Sequence, residues 1–325
     1  MMNITSIYDT FDRNTPHIVT VGTFDGVHLG HQRMISRLME SSSELNGKPI
    51  VVTFDPHPQI VLNKPGRDPV RLLSTLSERL QLLNVYGIND VVVIPFSAEF
   101  AELTPDFFIR ELLMKNVGIS RFVIGYDHVF GKNREGNEEI IRAIGEEKGF
   151  DVEKLPAYQI GGATVSSTKI RHALIDKNID AANTMLGYPY FIQGVVSRGD
   201  GRGRRLGVPT ANIQPDDRDK LLPGNGVYLV SSEIRGKLVY GMANVGVRPT
   251  FTDDLEPSLE VHYLNFSDMV YDLPVKVWFL KFIRHERKFE SADLFLSQLN
   301  DDRYYCYDLI EKLENKSSAP PATLY

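Results

Sequence analysis

The stretch VTVGTFDGVHLGHQRMISRL, residues 19–38, decides the fold of the first half of the chain. It runs a short apolar strand into a glycine-rich turn, places His28 and His31 on either side of Gly30, and begins a helical pattern near His31. Glycines allow a ligand to approach the backbone closely. The free N–H groups and the positive end of the helix dipole then face that ligand. The stretch therefore predicts an anion site, with a phosphate group as its natural occupant.

His28 and His31 are the candidate catalytic residues of this site. As hydrogen-bond donors, both can stabilise the charge that develops on a phosphoryl group during transfer. A structural role is the alternative, with His28 packed in a turn and His31 capping the helix. Zinc binding is a third option, but no nearby cysteine or carboxylate cluster completes tetrahedral ligation.

Strand-like and helical patterns alternate from Ile18 to about Leu186. The runs HIVTVG, PIVVTF, DVVVIPF and RFVIG are separated by longer segments of helical period, such as LSTLSERLQLLNVYG. This alternation indicates a parallel sheet flanked by helices, a Rossmann-like α/β domain. The last helical pattern, STKIRHALIDKNIDAANTML, ends at Gly187, a typical helix cap. We therefore assign residues 1–187 to this domain.

The pattern of the remaining chain, residues 188–325, is different. FIQGVVSRG, GVYLVSSEIRGKLVYGMANVG, LEVHYLNF and PVKVWFLKFI are strand-like segments rich in glycine turns. One helical pattern is left, SADLFLSQLNDDRYYCYDLIEKLEN. These features predict a six-stranded antiparallel β-barrel followed by a C-terminal helix.

Length, charge and cysteine content narrow the class of protein. A chain of 325 residues fits two domains. The net charge of −6 and the lack of a dense lysine or arginine run give no basis for binding nucleic acid or a membrane surface. The single cysteine, Cys306, cannot form an intrachain disulfide, and neither a signal peptide nor a membrane span is apparent. We expect a cytoplasmic protein that acts on small molecules, and the sequence leaves its oligomeric state open.

Two segments carry a family resemblance. GTFDGVHLGH, residues 22–31, resembles the His-x-Gly-His signature of the nucleotidyltransferase superfamily, and VSSTKIR, residues 165–171, resembles a second element of that superfamily. Alone, the second segment is an ordinary helix start, since Ser166 or Ser167 can cap the helix that carries Arg171. Together the segments predict adenylyl transfer, in which the β- and γ-phosphates of ATP leave as pyrophosphate. The resemblance implies an ATP site formed by Gly22, Phe24, Gly30, Ser167, Thr168 and Arg171.

A second glycine-rich stretch, GVVSRGDGRGRRLGVPTANI, spans residues 194–213. Its backbone amides can fold over phosphates, and Thr210 and Asn212 offer the oxygen ligands that Mg²⁺ prefers. It is not a Walker A loop, because no Gly-Lys-Ser/Thr follows. The alternative is a tight turn whose arginines serve solubility. The candidate phosphate-binding residues are Gly199, Gly201, Gly203, Arg205, Gly207, Thr210 and Asn212.

The ordered set GDGRGRRLGVPTANI, GVYLV, ANVGVRPTF, LEVHYLNF and FIRHERKF closely resembles flavokinase domains. With the amino-terminal motifs, residues 15–312 resemble the prokaryotic bifunctional riboflavin kinase/FMN adenylyltransferases, the FAD synthetase family. The resemblance implies two steps. Riboflavin and ATP would give FMN and ADP in the second domain, and FMN and another ATP would give FAD and pyrophosphate in the first, with Mg²⁺ as the metal.

The resemblance also implies residue roles in the kinase. Glu260 in LEVHYLNF matches the family's general base, which would accept the proton of the ribityl 5′-hydroxyl while magnesium on Thr210 offsets charge. Its alternation with Leu259 and Val261 equally permits a solvent-facing strand residue. Arg284 in FIRHERKF resembles a position that holds the flavin or its phosphate, with a surface salt bridge as the alternative.

Flavin binding in the first domain is implied for the segment GYDHVFGKNREG, residues 125–136. It keeps the glycines and Phe130 of the family's G-x-D/N-F-x-F-G pattern, but His128 stands where phenylalanine is usual. Asp127, His128 and Phe130 are the candidate flavin-binding residues of this segment. We expect this segment to border the flavin or adenine, and His128 to change ring stacking there.

Two other segments leave alternatives open. His57 in TFDPHP matches the family and would position substrate, or it belongs to a structural turn set by Pro56 and Pro58. Asp272 follows Tyr271 where the family commonly has glycine, so that turn is expected to differ.

Two rival functions follow. One is an FMN adenylyltransferase with a silenced kinase, against which Thr210, Asn212 and Glu260 count because all three are present. The other is a flavin-responsive regulatory protein, which would leave two ATP sites unexplained.

Overall fold

A computed structural model describes residues 2–9, 11–63, 66, 69–132, 135–198, 208–249 and 255–316. The chain divides into two compact units, Met1–Ser167 and Thr168–Tyr325. The first contains a six-stranded sheet flanked by helices and the second a closed barrel, so the predicted fold class is confirmed. The functional boundary at residues 187 and 188 stays a prediction.

The sheet of the first unit is parallel throughout and has the order β1-β4-β3-β2-β5-β6. Its strands are β1 (Asn3–Ser6), β2 (His17–Val21), β3 (Lys48–Asp55), β4 (Asp90–Pro95), β5 (Arg121–Ile124) and β6 (Asp151–Lys154). The patterns did not indicate β1 and β6, the two edge strands. Each has only four residues and none of them is buried, as is common where a sheet edge faces water.

Helices cover the sheet, and one helix start differs from the prediction. The helices are α1 (Leu29–Glu44), α2 (Pro58–Val61), α3 (Leu76–Val85), α4 (Ala98–Ala101), α5 (Pro105–Phe107), the π-helix Phe108–Val117 and α6 (Glu138–Lys148). A short hairpin follows, β7 (Gln159–Ile160) and β8 (Ala163–Thr164). The first helix begins at Leu29 and not near His31, because His28 is its N-cap.

Strand order places a crevice in the first unit. Strand β2 is buried along its whole length, and it lies between β3 and β5. The chain leaves β2 towards β3 on one side, while β5 lies on the other side. Ligands of open parallel sheets bind outside the carboxyl ends of the strands, at the point where the strand order changes direction, which here lies between β2 and β5. The segments after β2, β3 and β5 carry His28, His57 and Asp127, so the topology brings the predicted residues to one edge.

The last helical pattern before the barrel forms two helices instead of one, α7 (Ser167–Ile175) and α8 (Ile179–Leu186). The break is local. Lys177 has a left-handed φ of 64°, and the side chain of Asn178 accepts a hydrogen bond from the amide of Ala181. Gly187, with φ of 79°, caps the end of α8.

The second unit is a closed antiparallel barrel with the order β10-β13-β12-β11-β14-β9. Its strands are β9 (Phe191–Ser197), β10 (Ala211–Pro215), β11 (Gly226–Ile234), β12 (Lys237–Pro249), β13 (Leu255–Tyr263) and β14 (Pro274–Arg284). The C-terminal helix α9 (Ala292–Lys316) packs on the barrel through Cys306, which contacts the cluster of Leu229, Met242 and Leu264. Cys306 is free, and burial raises the pKa of its thiol to about 12.

Both short helices before the barrel contact it. The side-chain amide of Asn183 on α8 donates to the carbonyl of Phe279 on β14 at 2.9 Å. The amide of Gly224 donates to the carbonyl of Leu174 on α7 at 3.0 Å. These bonds explain why the compact second unit begins before α8, at Thr168. In the part of the chain described above, no helix has the length and apolar character needed to cross a membrane.

Candidate active sites

The turn after β2 joins His28 and His31 in one stacked pair. The His28 Nδ1 atom accepts a hydrogen bond from the amide of His31 at 3.4 Å. The two rings stack with centroids 3.7 Å apart and planes 13° apart. A Cβ atom at Gly30 would lie 3.1 Å from Cε1 of His28, so glycine permits this stacking. His28 therefore caps the helix, the role that the structural alternative gave to His31.

The same turn contains strained backbone. Phe24 has φ of 49° and Val27 has φ of 34°, although both side chains are buried. Such conformations cost about 1–3 kcal/mol each and cluster at ligand sites. The fully buried carboxylate of Asp25 holds the turn, since it accepts bonds from the amides of Leu73 at 3.2 Å and Ser74 at 2.9 Å.

The surroundings of His31 favour its neutral imidazole. Burial lowers the pKa of His31 well below its ordinary value, and His28 and Arg79 lower it further. Among the described residues, Nδ1 of His31 is buried without a hydrogen-bond partner. A neutral imidazole still carries one N–H donor. His31 is therefore able to donate to an anionic ligand without having to take up a proton.

The segments after β3 and β5 place the predicted flavin residues. His57 is buried and caps α2, because its Nδ1 accepts a bond from the amide of Gln59 at 3.1 Å. The rings of His128 and Phe130 lie 5.3 Å apart, and Asp127 is exposed. Nε2 of His128 has no partner within the described ranges, and burial lowers the pKa of His128 to about 4. Their contacts with flavin stay predictions.

The second nucleotidyltransferase motif, residues 165–171, contacts the first motif through Ser167, the first residue of α7. The Oγ atom of Ser167 donates to the carbonyl of Asp25 at 2.9 Å. Ser167 thus lies at the glycine-rich turn that carries Phe24. Thr168 and Arg171 follow on α7, and their phosphate-binding role stays a prediction.

Three of the predicted kinase residues, Thr210, Asn212 and Glu260, lie close together on the barrel. Glu260 on β13 pairs in register with Asn212 on β10 and with Asn244 on β12. The hydroxyl of Thr210 lies 3.3 Å from Oε2 of Glu260. Leu259 and Val261 are buried in the barrel, so Glu260 projects from its outer face. Five predicted residues lie outside the described residues: Gly199, Gly201, Gly203, Arg205 and Gly207.

Three residues near Thr210, Asn212 and Glu260 were not predicted from the sequence: Asn244, His262 and Glu286. The side-chain amide of Asn244 donates to Oε1 of Glu286 at 3.0 Å, and Nδ1 of His262 donates to the carbonyl of Pro209 at 2.9 Å. This bond to the carbonyl of Pro209 fixes the chain just before Thr210. His262 shares the alternation of Glu260 along β13, which was the available signal.

Arg284 lies in a partly buried ion pair. Its Nη2 atom lies 2.8 Å from Oδ2 of Asp302, a carboxylate that is only 3% exposed. Gln298 donates to the other oxygen of Asp302 at 2.7 Å. The salt-bridge alternative is therefore present, between the end of β14 and α9, and flavin binding by Arg284 stays a prediction. Asp272 has φ of 63°, so its turn keeps the left-handed conformation that glycine favours.

A magnesium ion fits this face by its donor chemistry. Thr210 and Asn212, the predicted metal ligands, supply a hydroxyl and an amide oxygen next to Glu260. Mg²⁺ typically binds one or two such groups together with substrate phosphates. In the described portion of the chain, no group of three or more His, Cys, Asp or Glu side chains could hold a metal by itself.

Comparisons with known proteins match both halves. A family model described as FAD synthetase matches residues 10–169, and one described as riboflavin kinase matches residues 186–310. The chain is 34% identical over 298 residues to a bifunctional riboflavin kinase/FMN adenylyltransferase of Listeria monocytogenes, covering 92% of this chain and 94% of that protein. It is 37% identical over 288 residues to the protein of the same description from Escherichia coli K12, with coverages of 88% and 90%.

A solved structure supports the whole architecture. A chain from Streptococcus pneumoniae, described as a macrolide-efflux protein, matches with a TM-score of 0.84 and 30% identity, covering 94% of this chain and 98% of that one. That description applies to the other protein. Both domains and their order agree with the relatives from L. monocytogenes and E. coli. The chain therefore belongs to the family of bifunctional riboflavin kinase/FMN adenylyltransferases, with an FAD synthetase domain followed by a riboflavin kinase domain.

Proposed function

We propose that this chain makes FAD from riboflavin in two ATP-dependent steps. Riboflavin and ATP give FMN and ADP, and FMN and a second ATP give FAD and pyrophosphate. The observation that carries the proposal is that one chain combines two sites: the stacked His28 and His31 pair after β2, and the contact between Thr210 and Glu260 on the barrel. Family membership supports both activities. Since each step consumes ATP, we place both in the cytoplasm.

In adenylyl transfer, a phosphate oxygen of FMN attacks the α-phosphorus of ATP, and pyrophosphate leaves. His28 and His31 donate hydrogen bonds to the phosphoryl oxygens as charge develops on them. Gly22, Phe24 and Gly30 let the nucleotide approach the turn. The β- and γ-phosphates are held by Ser167, Thr168 and Arg171. The flavin lies against His57, Asp127, His128 and Phe130.

In the kinase step, the ribityl 5′-oxygen attacks the γ-phosphorus of ATP, and ADP leaves. Glu260 accepts the proton of that hydroxyl. Thr210 and Asn212 would hold magnesium, which when bound offsets charge on the phosphates. The phosphates also contact the glycine-rich loop of Gly199, Gly201, Gly203, Arg205 and Gly207, and Arg284 contacts the flavin. We assign this step to residues 188–325 and adenylyl transfer to residues 1–187.

Chromatography of flavins tests the proposal. The protein is incubated with riboflavin, ATP and Mg²⁺, and FMN is expected to appear first and FAD second. FAD formed from added FMN, without any FMN formed from riboflavin, would identify a silenced kinase. Flavin binding without turnover of ATP would identify a regulatory protein. Omission of Mg²⁺ in the presence of a chelator checks the metal requirement of each step separately.

A further inference from the structure

Arg79 on α3 is buried, with only 2% of its side chain exposed. Charged side chains are almost never fully buried unless they are paired. Its partners are backbone atoms: Nη1 donates to the carbonyl of Thr23 at 2.8 Å, and Nη2 donates to the carbonyl of Phe54 at 2.9 Å. The nearest ion pair is longer, at 4.0 Å from Nη2 to Oδ1 of Asp55. The main contacts of this guanidinium are therefore with two carbonyls.

Those two carbonyls lie at the ends of adjacent strands. Thr23 follows β2, and Phe54 is near the end of β3, the parallel neighbour of β2. The chain that follows β2 leads to His28, and the chain that follows β3 leads to His57. One side chain thus joins the two chain exits that carry predicted residues of the adenylyl-transfer site.

The bond to Thr23 also restrains strained backbone. The carbonyl of Thr23 accepts a second bond, from the hydroxyl of Thr53 at 3.1 Å. The next residue, Phe24, has φ of 49°. Strained conformations persist only where the surroundings fix them by several contacts. Arg79 supplies one of the contacts that fix the peptide before Phe24.

The positive charge of Arg79 is one cause of the lowered pKa of His31. Burial lowers the pKa of Arg79, and the carboxylates of Asp25 and Asp55 oppose that effect. Arg79 and His28 in turn act with burial to lower the pKa of His31. An arginine keeps its charge at every working pH. Its removal should therefore raise the pKa of His31, but only in part, because burial and His28 are the larger causes of the lowered value and both remain.

We propose that Arg79 is a positioning residue for adenylyl transfer, which fixes the exits of β2 and β3 and thereby places His28, His31 and His57. This inference rests on the proposed function of that site. The role is indirect, because both hydrogen bonds of the guanidinium end on backbone carbonyls. A displacement of about 1 Å can cost on the order of 10²-fold in rate. The loss should appear in kcat more than in the KM for ATP.

The test uses Arg79→Met and Arg79→Lys in the full chain. Arg79→Met removes both hydrogen bonds, and kcat for FAD formation from FMN should fall on the order of 10²-fold. Arg79→Lys keeps the charge but not the two-pronged donor, and kcat should fall about tenfold. Riboflavin phosphorylation by the same samples should stay at the parental rate, which shows that the second unit is unaffected. Circular dichroism and urea unfolding should match the parent, which checks that the first unit is folded.

A pH profile separates positioning from simple destabilisation. In Arg79→Met, the acid-side inflection of kcat/KM for FAD formation should move to higher pH, while in Arg79→Lys it should stay in place. Arg142→Met is the matched control. Arg142 on α6 also donates to a backbone carbonyl, that of Val152 at 3.0 Å, but it is more exposed and its acceptor lies inside the edge strand β6. Arg142→Met should leave both the kcat for FAD formation and the acid-side inflection of kcat/KM unchanged.

His31→Ala tests the proposed function of the histidine pair separately from the role of Arg79. If His31→Ala makes FAD at the parental rate, the proposed role of the histidines is wrong, whatever Arg79 does. If His31→Ala is impaired while folded Arg79→Met matches the parental kcat and inflection, the inference about Arg79 is overturned. Should Arg79→Met fail to fold, Arg79→Lys decides alone. A tenfold loss of kcat in a variant whose circular dichroism and urea unfolding match the parent supports the inference, and a parental kcat overturns it.

Discussion

The hydroxyl of Ser167 donates a 2.9 Å hydrogen bond to the backbone carbonyl of Asp25, across 142 positions of sequence. The Asp25 carboxylate also accepts bonds from the amides of Leu73 and Ser74. One residue in the turn after β2 is thus tied to two distant segments. The turn that carries the histidine pair depends on contacts made far along the chain.

Replacing Ser167 with alanine tests this tie. The hydrogen bond to Asp25 is lost, and so is a proposed phosphate ligand, so FAD formation should fall while riboflavin phosphorylation stays at the parental rate. The net loss of stability should be about 1 kcal/mol, typical of one hydrogen bond. Flavin chromatography and urea unfolding measure the two effects. Ser43→Ala on α1, which removes an exposed hydroxyl bonded within its own helix, should change neither.

His28→Ala and His31→Ala should impair the rate of adenylyl transfer more than binding. Each variant loses a donor to the developing charge, which typically costs on the order of 10²–10³-fold in turnover. Both should still bind ATP and FMN in calorimetry, and should accumulate FMN when given riboflavin. Folded alanine variants that make FAD from FMN near the parental rate would show that the stacked pair is only structural.

Glu260→Gln keeps the shape of the side chain and removes the base. General-base catalysis typically contributes on the order of 10²–10⁴-fold, and riboflavin phosphorylation should slow by that order. Adenylylation of FMN by the same sample is the control and should be unchanged. Equal losses of both activities would indicate misfolding, and an unchanged kinase rate would place the base elsewhere.

His128→Phe should make the protein less sensitive to acid. The pKa of His128 is lowered from 6.5 to about 4 in the folded protein. Below pH 6.5 the unfolded chain takes up a proton that the folded chain does not, so the free energy of unfolding falls as pH drops towards 4. The variant should gain up to about 3 kcal/mol relative to the parent between those limits. Urea unfolding at pH 7 and pH 4.5 measures the difference, and parallel pH curves would contradict it.

The start of an autonomous kinase fragment can be tested by truncation. A fragment of residues 168–325 retains the bonds from Asn183 to Phe279 and from Gly224 to Leu174, and a fragment of residues 188–325 lacks them. Both should phosphorylate riboflavin, but the longer one should unfold at a temperature about 5–10 °C higher, because it keeps buried contacts of α7 and α8. Calorimetry compares them. Equal unfolding temperatures would show that these helices do not stabilise the barrel.

Much of the fold follows from local patterns, because buried strands and amphipathic helices have distinct periods. The residues that escaped prediction have ordinary local surroundings. Arg79 stands in the helix sequence LSERLQLLNV, where an arginine normally faces water, and only the tertiary fold buries it. Asp302 is similar, since nothing near it in sequence reveals the partner Arg284.

The predicted site residues could be found because their chemistry is concentrated in short motifs. The stacking of His28 on His31 follows from a spacing of three at a helix start. The break between α7 and α8 was missed because Lys177 adopts a left-handed conformation that its residue type rarely shows. Contacts between distant segments, such as that of Glu286 with Asn244, depend on the register of the barrel and leave no local trace.

Closure of the barrel has a consequence for biosynthesis. Strand β9 is the first strand of the barrel in the chain and β14 is the last, yet the two are neighbours that seal it. During translation the barrel therefore stays open until residue 284 has emerged, whereas the sheet of the first unit is complete at residue 154. A nascent chain arrested before β14 would expose the free edges of β9 and β11 to misassembly. Synthesis finishes the two units in the reverse of the order in which their reactions run.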